Sequence, residues 1–251
     1  MDKILKDGYL NLDITEFPNI IDDLQYVYDN IDSIKSMNLV YNFNSEANDD
    51  EFKSLENNII SKEYFNLKDI NISDWFESKG INNRFVATNI EIHDLTKTDS
   101  LINTFDKFTK VGMNQTFLEL QLPAEPPSVE LDNLYNRSNK ILDTIYKKVY
   151  GDRYFKTNRV NITNFKKNAL IQPHQDGYSS DRICGILVYL NKDWNPIDGG
   201  SLIIENDTEI PPTYGNIIVL DYTENNLVHS VSNVTHDRGR WAILKFYSSE
   251  H

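Results

Sequence analysis

One cysteine, Cys184, is present among 251 residues, so the chain can form no intramolecular disulfide and no cysteine-rich zinc site. It falls in the apolar run Ile183–Leu190, where a small buried hydrophobe is expected. No apolar stretch approaches the length needed to span a bilayer. The opening Met1-Asp2-Lys3-Ile4-Leu5-Lys6-Asp7 has no continuous apolar segment or cleavage signature. Basic residues are few: 25 Lys and Arg stand against 38 Asp and Glu, a net charge of −13. Such a surface repels phosphate backbones and anionic lipid, so neither nucleic acid nor a membrane is an expected partner. A cytoplasmic, soluble protein is the expectation.

What is there suffices for a sizeable core. Hydrophobic residues make up 39% of the chain, with 12 Phe and 14 Tyr. One domain spanning 1–251 is expected. Residues 1–150 would form a helical and strand elaboration, and 151–251 a barrel core.

The first half is rich in Asn, Asp and Lys. Gly8–Ile14 alternates like a strand. Pro18 followed by Ile20, Ile21, Leu24, Val27, Tyr28 and Ile31 has helical spacing. Asn44–Asp50 reads as a solvated loop, Phe52–Phe65 and the region around Ser100–Lys110 as helices, and Phe85–Ile92 and Thr116–Leu122 as strands. From Leu131 to Val149 apolar residues mark an amphipathic helix that ends near Gly151. The second half changes rhythm. Short β-prone runs follow at Arg159–Phe165, Leu170–His174, Ile183–Leu190, Ser201–Glu205, Asn216–Asp221, His229–Val234 and Trp241–Tyr247. Asp198-Gly199-Gly200 and Tyr214-Gly215-Asn216 supply turns. That pattern predicts a mainly β fold with some α, a double-stranded β-helix (jelly-roll) barrel supported by helices from the N-terminal half.

Candidate metal ligands stand out in the barrel half. In an extended strand His174 and Asp176 of His174-Gln175-Asp176 face the same side. His229 follows 53 residues later beside another β-prone run. Two imidazoles and one carboxylate leave positions free on a metal, a set that suits Fe(II). His236 lies seven residues beyond, in the polar turn Thr235–Gly239, and is the weaker candidate. Arg240, 11 residues after His229, opens an alternating run expected to pair antiparallel with the strand after His229. A buried guanidinium there could grip a distal carboxylate through two hydrogen bonds; Arg238 is the alternative.

The segment His174–Tyr247 resembles the core of the prolyl 4-hydroxylase-like branch of the Fe(II)/2-oxoglutarate oxygenases. The likeness lies in Asp181-Arg182-Ile183-Cys184-Gly185-Ile186-Leu187-Val188-Tyr189-Leu190-Asn191-Lys192-Asp193-Trp194, in Gly199-Gly200-Ser201-Leu202 and in Arg240-Trp241-Ala242-Ile243. It implies that His174, Asp176 and His229 are iron ligands and that Arg240 meets the far carboxylate of 2-oxoglutarate. Tyr189 would contact the same carboxylate. It implies Fe(II), 2-oxoglutarate and O₂ as cofactors and co-substrates, and hydroxylation of an unactivated C–H bond in an amino acid, peptidyl residue or related small metabolite. A carboxylate at Asp176 favours such oxidation over halogen transfer, since related halogenases carry a small residue there.

Two positions depart from the family. Phe165 replaces a tyrosine expected nine residues before His174, leaving Asn161 or Thr163 on the same strand face as substitutes. Asp221 stands where an apolar aromatic is usual. Tyr178, His93 and Glu119 are further pocket candidates. The competing readings are a cupin-like metal-dependent hydrolase or isomerase, which needs neither Arg240 nor Tyr189, and a catalytically inactive binding barrel.

Overall fold

The computed structural model describes residues 7–35, 37–44, 65–67, 83–92, 113–121, 128–152, 156–157, 160–176, 181–205, 207–223 and 226–249. The helix expected around Ser100–Lys110 lies outside them. So does all of Asn44–Asp50 except Asn44, and all of Phe52–Phe65 except Phe65.

Two antiparallel sheets carry the structure. In the barrel half the strands are β7 (Asn161–Phe165), β8 (Ile171–His174), β9 (Arg182–Tyr189), β10 (Leu202–Ile204), β11 (Thr208–Ile210), β12 (Asn216–Asp221), β13 (His229–Val231) and β14 (Arg240–Ser248). These elements fall close to the runs read from sequence, with β11 added. The N-terminal half supplies β1 (Tyr9–Asp13), β2 (Met37–Asn44), β3 (Phe65–Leu67), β4 (Asn83–Ile92) and β5 (Met113–Gln121), and β6 (Lys156–Thr157) pairs with β14. The large sheet runs β1-β12-β9-β14-β7-β5-β2-β4-β3, and the small one runs β11-β10-β13-β8. From β7 to β14 the chain passes repeatedly between the sheets, which is the winding of a jelly roll.

That winding corrects one expectation. β14 does not lie beside β13, because the two consecutive strands belong to opposite sheets. β14 pairs instead with β7, Arg240 opposite Phe165, and with β9, Ala242 opposite Tyr189.

Among the described residues, two α-helices pack in one core with the large sheet. α1 (Ile21–Asn30) follows a 3-10 turn at Pro18–Ile20. α2 (Val129–Tyr150) starts where the Ser128 hydroxyl accepts the Leu131 N–H and ends at Gly151, whose φ of 74° an L side chain rarely adopts. Glu130 and Asp132 in its first turn and Lys147 and Lys148 in its last match the helix dipole. Leu134, Ile141, Leu142, Ile145, Tyr146 and Val149 lie on one face of this helix and are all buried. Each contributes about 1.5–3 kcal/mol of burial. They pack with Ile162, Cys184, Ile186, Val188, Ile217, Val219, Ile243 and Tyr247, the helix-facing positions of the large sheet. The alternate positions of those strands face the small sheet. That second face holds the site.

Candidate active site

A cavity of about 250 Å³ opens between the two sheets. The large sheet contributes Asn161, Thr163 and Phe165 from β7, Gly185 and Leu187 from β9, Leu220 from β12, and Arg240, Leu244 and Phe246 from β14. Within β7, β9 and β14 the lining residues are two or four apart, on one face of the pleat. The small sheet contributes Ile171, His174, Leu202, His229 and Val231.

His174 and His229 are direct partners across β8 and β13, with ring centroids 4.4 Å apart. Between them and the next pair, Ile171 with Val231, the register shifts. Three residue steps on β8 therefore match two on β13, a bulge that lets both Ile171 and His174 face the cavity despite their odd separation. β8 ends at His174, so Asp176 is not placed by strand alternation as the sequence suggests. It sits in a bend beyond the strand, yet its Oδ1 lies 3.4 Å from His174 Nε2 and its Oδ2 3.4 Å from His229 Nε2.

One ligand atom from each of the three lies within 4.8 Å of the others, a spacing that could hold a metal ion. The donors suit a divalent cation. His229 Nδ1 is 3.1 Å from the Leu227 carbonyl, which orients the ring so that its Nε2 faces Asp176. Burial works to raise the Asp176 pKa, but hydrogen bonds from His174 and His229 outweigh it and hold the carboxyl below its ordinary range. It stands ready as an anion. Two nitrogens and one oxygen on one side, with open volume opposite, match the facial set that Fe(II) takes in oxygenases.

Arg240 lines the same cavity and is 2% exposed. Its Nε donates to the Gly200 carbonyl at 2.6 Å and its Nη2 to the Tyr189 hydroxyl at 2.9 Å. Gly200 permits this approach: at its φ of 68° a Cβ would fall 2.9 Å from Arg240 Cδ. The guanidinium also lies 4.8 Å over the Phe165 ring, the residue that stands in for the family's tyrosine. Among the described residues no carboxylate forms an ion pair with it. Holding a buried cation without an anion costs several kcal/mol, a cost that an incoming carboxylate would offset. Arg238, the alternative, is exposed and bonded to Asp198 and His236.

The other sequence candidates separate. Tyr189 is fully buried and stands behind Arg240 instead of lining the cavity. Burial raises its pKa against the pull of Arg240, so the phenol stays protonated and accepts the arginine's hydrogen bond. Asn161 and Thr163 both line the cavity on the face that Phe165 shares. His236 accepts from the Arg238 N–H, away from the metal ligands. Tyr178, His93 and the Glu119 side chain lie outside the described residues. Asp221 gains an account: buried at 1% exposure, it accepts from the Tyr150 hydroxyl at 2.8 Å and from Thr223.

Sequence reasoning missed Tyr222 and Arg182 as site residues. Tyr222 lines the cavity and donates to Asp176 Oδ2 at 3.2 Å, and Arg182 Nη1 donates to the Asp176 carbonyl at 2.6 Å. The alternation Ile218, Leu220, Tyr222 carried the signal for the tyrosine.

Residues 160–248 match the family described as the 2OG-Fe(II) oxygenase superfamily. That match spans about a third of the chain, the strands β7 to β14 that enclose the cavity. No curated protein sequence matches it. Among solved structures, a prolyl hydroxylase from Trichoplax adhaerens, in complex with a hypoxia inducible factor oxygen degradation domain peptide fragment, aligns over 93% of this chain and 92% of its own. The identity is 12% and the TM-score 0.46. A Pseudomonas putida prolyl-4-hydroxylase aligns over 91% of this chain and 100% of its own, at 14% identity and a TM-score of 0.42. HygX from Streptomyces hygroscopicus, with nickel and 2-oxoglutarate bound, covers 61% of this chain and 78% of its own at 12% identity and a TM-score of 0.39. Among the described residues no helix is long and apolar enough to cross a membrane.

Proposed function

We propose that this protein hydroxylates an unactivated C–H bond of an amino acid, a peptidyl residue or a related small metabolite. His174, Asp176 and His229 would hold Fe(II), and Arg240 would bind the far carboxylate of 2-oxoglutarate. The observation that carries the reading is the pairing of a two-histidine, one-carboxylate cluster with a buried, carboxylate-free arginine in one cavity. A hydrolase using the same cluster has no use for that arginine. The substrate class follows the resemblance of Asp181–Trp194 to the prolyl hydroxylases. The elements before residue 150 belong to the same domain on this reading, since β1 and β5 pair with β12 and β7 in one sheet.

When bound, iron and 2-oxoglutarate supply the oxidising chemistry: O₂ delivers one oxygen to succinate and one to the product as CO₂ leaves. The chain's own groups do the rest. Arg240, steadied by Tyr189 and the Gly200 carbonyl, sets the direction of the co-substrate and rejects keto acids lacking a second carboxylate. Leu187, Leu202, Leu220 and Leu244 exclude water around it. Asn161 and Thr163 offer polar groups in place of the phenol absent at Phe165.

Succinate release from 2-oxoglutarate in air, with Fe(II) added, tests the class. A gain of one oxygen across a library of amino acids, peptides and small metabolites, read by mass spectrometry, tests the substrate. Formation of succinate only with Fe(II), and its absence in Arg240→Met, is the expected result. Hydrolysis or isomerisation without 2-oxoglutarate consumption would contradict it.

A further inference from the structure

The pleat does not position Asp176, so something else must. Two side chains reach it: Arg182, at the start of β9, holds its main-chain carbonyl at 2.6 Å, and Tyr222, one residue past β12, holds its Oδ2 at 3.2 Å. We propose that Tyr222 is a positioning residue for the Asp176 carboxylate, and that Gly185 is glycine because the Tyr222 hydroxyl occupies the place of its side chain. This rests on the reading of His174, Asp176 and His229 as a metal site.

The carboxylate torsion of an aspartate is broad and roughly two-fold, so a ligand in a bend needs an outside hydrogen bond to choose its orientation. Tyr222 is itself tightly held. The Asp221 N–H donates to the Gly8 carbonyl and the Tyr222 N–H to the Ile183 carbonyl, both at 2.9 Å. The Asp221 carboxylate, bonded to Tyr150 on α2 and to Thr223, fixes the chain on either side of the tyrosine. The phenol thus arrives preorganised.

Gly185 supplies the independent observation. A Cβ built there would sit 2.5 Å from the Tyr222 hydroxyl oxygen and 3.3 Å from the Phe246 ring. Gly185 lies within β9 and has no positive φ, so its backbone would accept alanine. The missing side chain serves the hydroxyl, not the backbone. Arg182 completes the arrangement by lying 4.1 Å over the Phe246 ring while holding Asp176.

The test titrates metal-free protein with Co(II), reading the dissociation constant and the visible Co(II) spectrum, alongside thermal melting of the metal-free form. Tyr222→Phe should weaken Co(II) binding by about 10- to 100-fold, the usual cost of losing a hydrogen bond to a ligand's outer side. It should alter the spectrum and leave the metal-free melt unchanged. Gly185→Ala should do the same by pushing the hydroxyl off Asp176. The double variant should bind no more weakly than the poorer single one, since the added methyl then has no hydroxyl to displace. Wild-type affinity in Tyr222→Phe, or losses that multiply in the double variant, would overturn the proposal. If Gly185→Ala does not fold, Tyr222→Phe alone decides. Wild-type protein that takes up no Co(II) would instead overturn the metal site itself.

Discussion

The two faces of the large sheet are made by the same strands and do opposite work. On β9, Cys184, Ile186 and Val188 point to α2 and are fully buried, while Gly185 and Leu187 point to the cavity. On β14, Ile243 and Tyr247 pack under the helix, and Arg240, Leu244 and Phe246 face the cavity. Even the charged residue of the helix-facing side is neutralised: Lys245, 2% exposed, pairs with Asp143 of α2 at 2.7 Å. Arg240, equally buried, has no such carboxylate among the described residues. The helix face is satisfied within the chain; the cavity face is left incomplete for ligands. A strand's period of two thus separates stability from chemistry within a single run of residues.

Substitutions on the two faces should therefore separate cleanly. The largest effect is expected from His229→Ala on the cavity face, which removes one of three donors. Divalent-metal binding by calorimetry and succinate formation should both fall below detection, with the helix-side core undisturbed. Loss of melting stability together with metal binding would break the separation. Leu142→Ala, on α2, should show the reverse. It should cost about 2–5 kcal/mol in chemical denaturation through the cavity it leaves, with the metal dissociation constant unchanged below the transition.

The smallest effect lies at the edge of the fold. Asp13 caps the turn that follows β1 by accepting the Thr15 N–H and hydroxyl. Asp13→Ala should cost about 0.5–1 kcal/mol. The Thr15 side-chain and backbone hydrogen bonds lower the Asp13 pKa from 3.8. Its contribution is therefore present above pH 3.8 and is lost as pH falls through the lowered value. Denaturation curves of wild type and variant should converge in acid. A difference that persists unchanged there would assign the cost to helix geometry instead.

Much of this division was legible beforehand because alternation is a local property. The apolar runs of β9, β12 and β14, the periodic face of α2 and the Gly151 stop are all written in neighbouring residues. His174, Asp176, His229 and Arg240 were singled out by residue type, order and family-like spacing, and all four line one cavity. Sheet partnership was not legible: which strand β14 joins depends on the winding between sheets, and the expectation beside β13 failed there. Tyr189 was expected to contact the far carboxylate of 2-oxoglutarate; its place behind the Arg240 guanidinium depends on three-dimensional packing. Tyr222 and Gly185 were hidden for a related reason. Each looks like an ordinary strand residue until β9 and β12 lie side by side, with Gly185 opposite Leu220.

The central claim is that one cavity joins a metal-binding triad to an arginine that awaits a carboxylate. Anaerobic binding of 2-oxoglutarate and of 2-oxobutanoate, which lacks the distal carboxylate, to wild-type and Arg240→Met protein loaded with Fe(II) tests it most directly. Wild type should favour 2-oxoglutarate by about 2–5 kcal/mol, the worth of a buried charged partner. Arg240→Met should erase that preference while still binding metal. Equal binding of the two keto acids to wild type, or 2-oxoglutarate binding that needs no metal, would contradict the account.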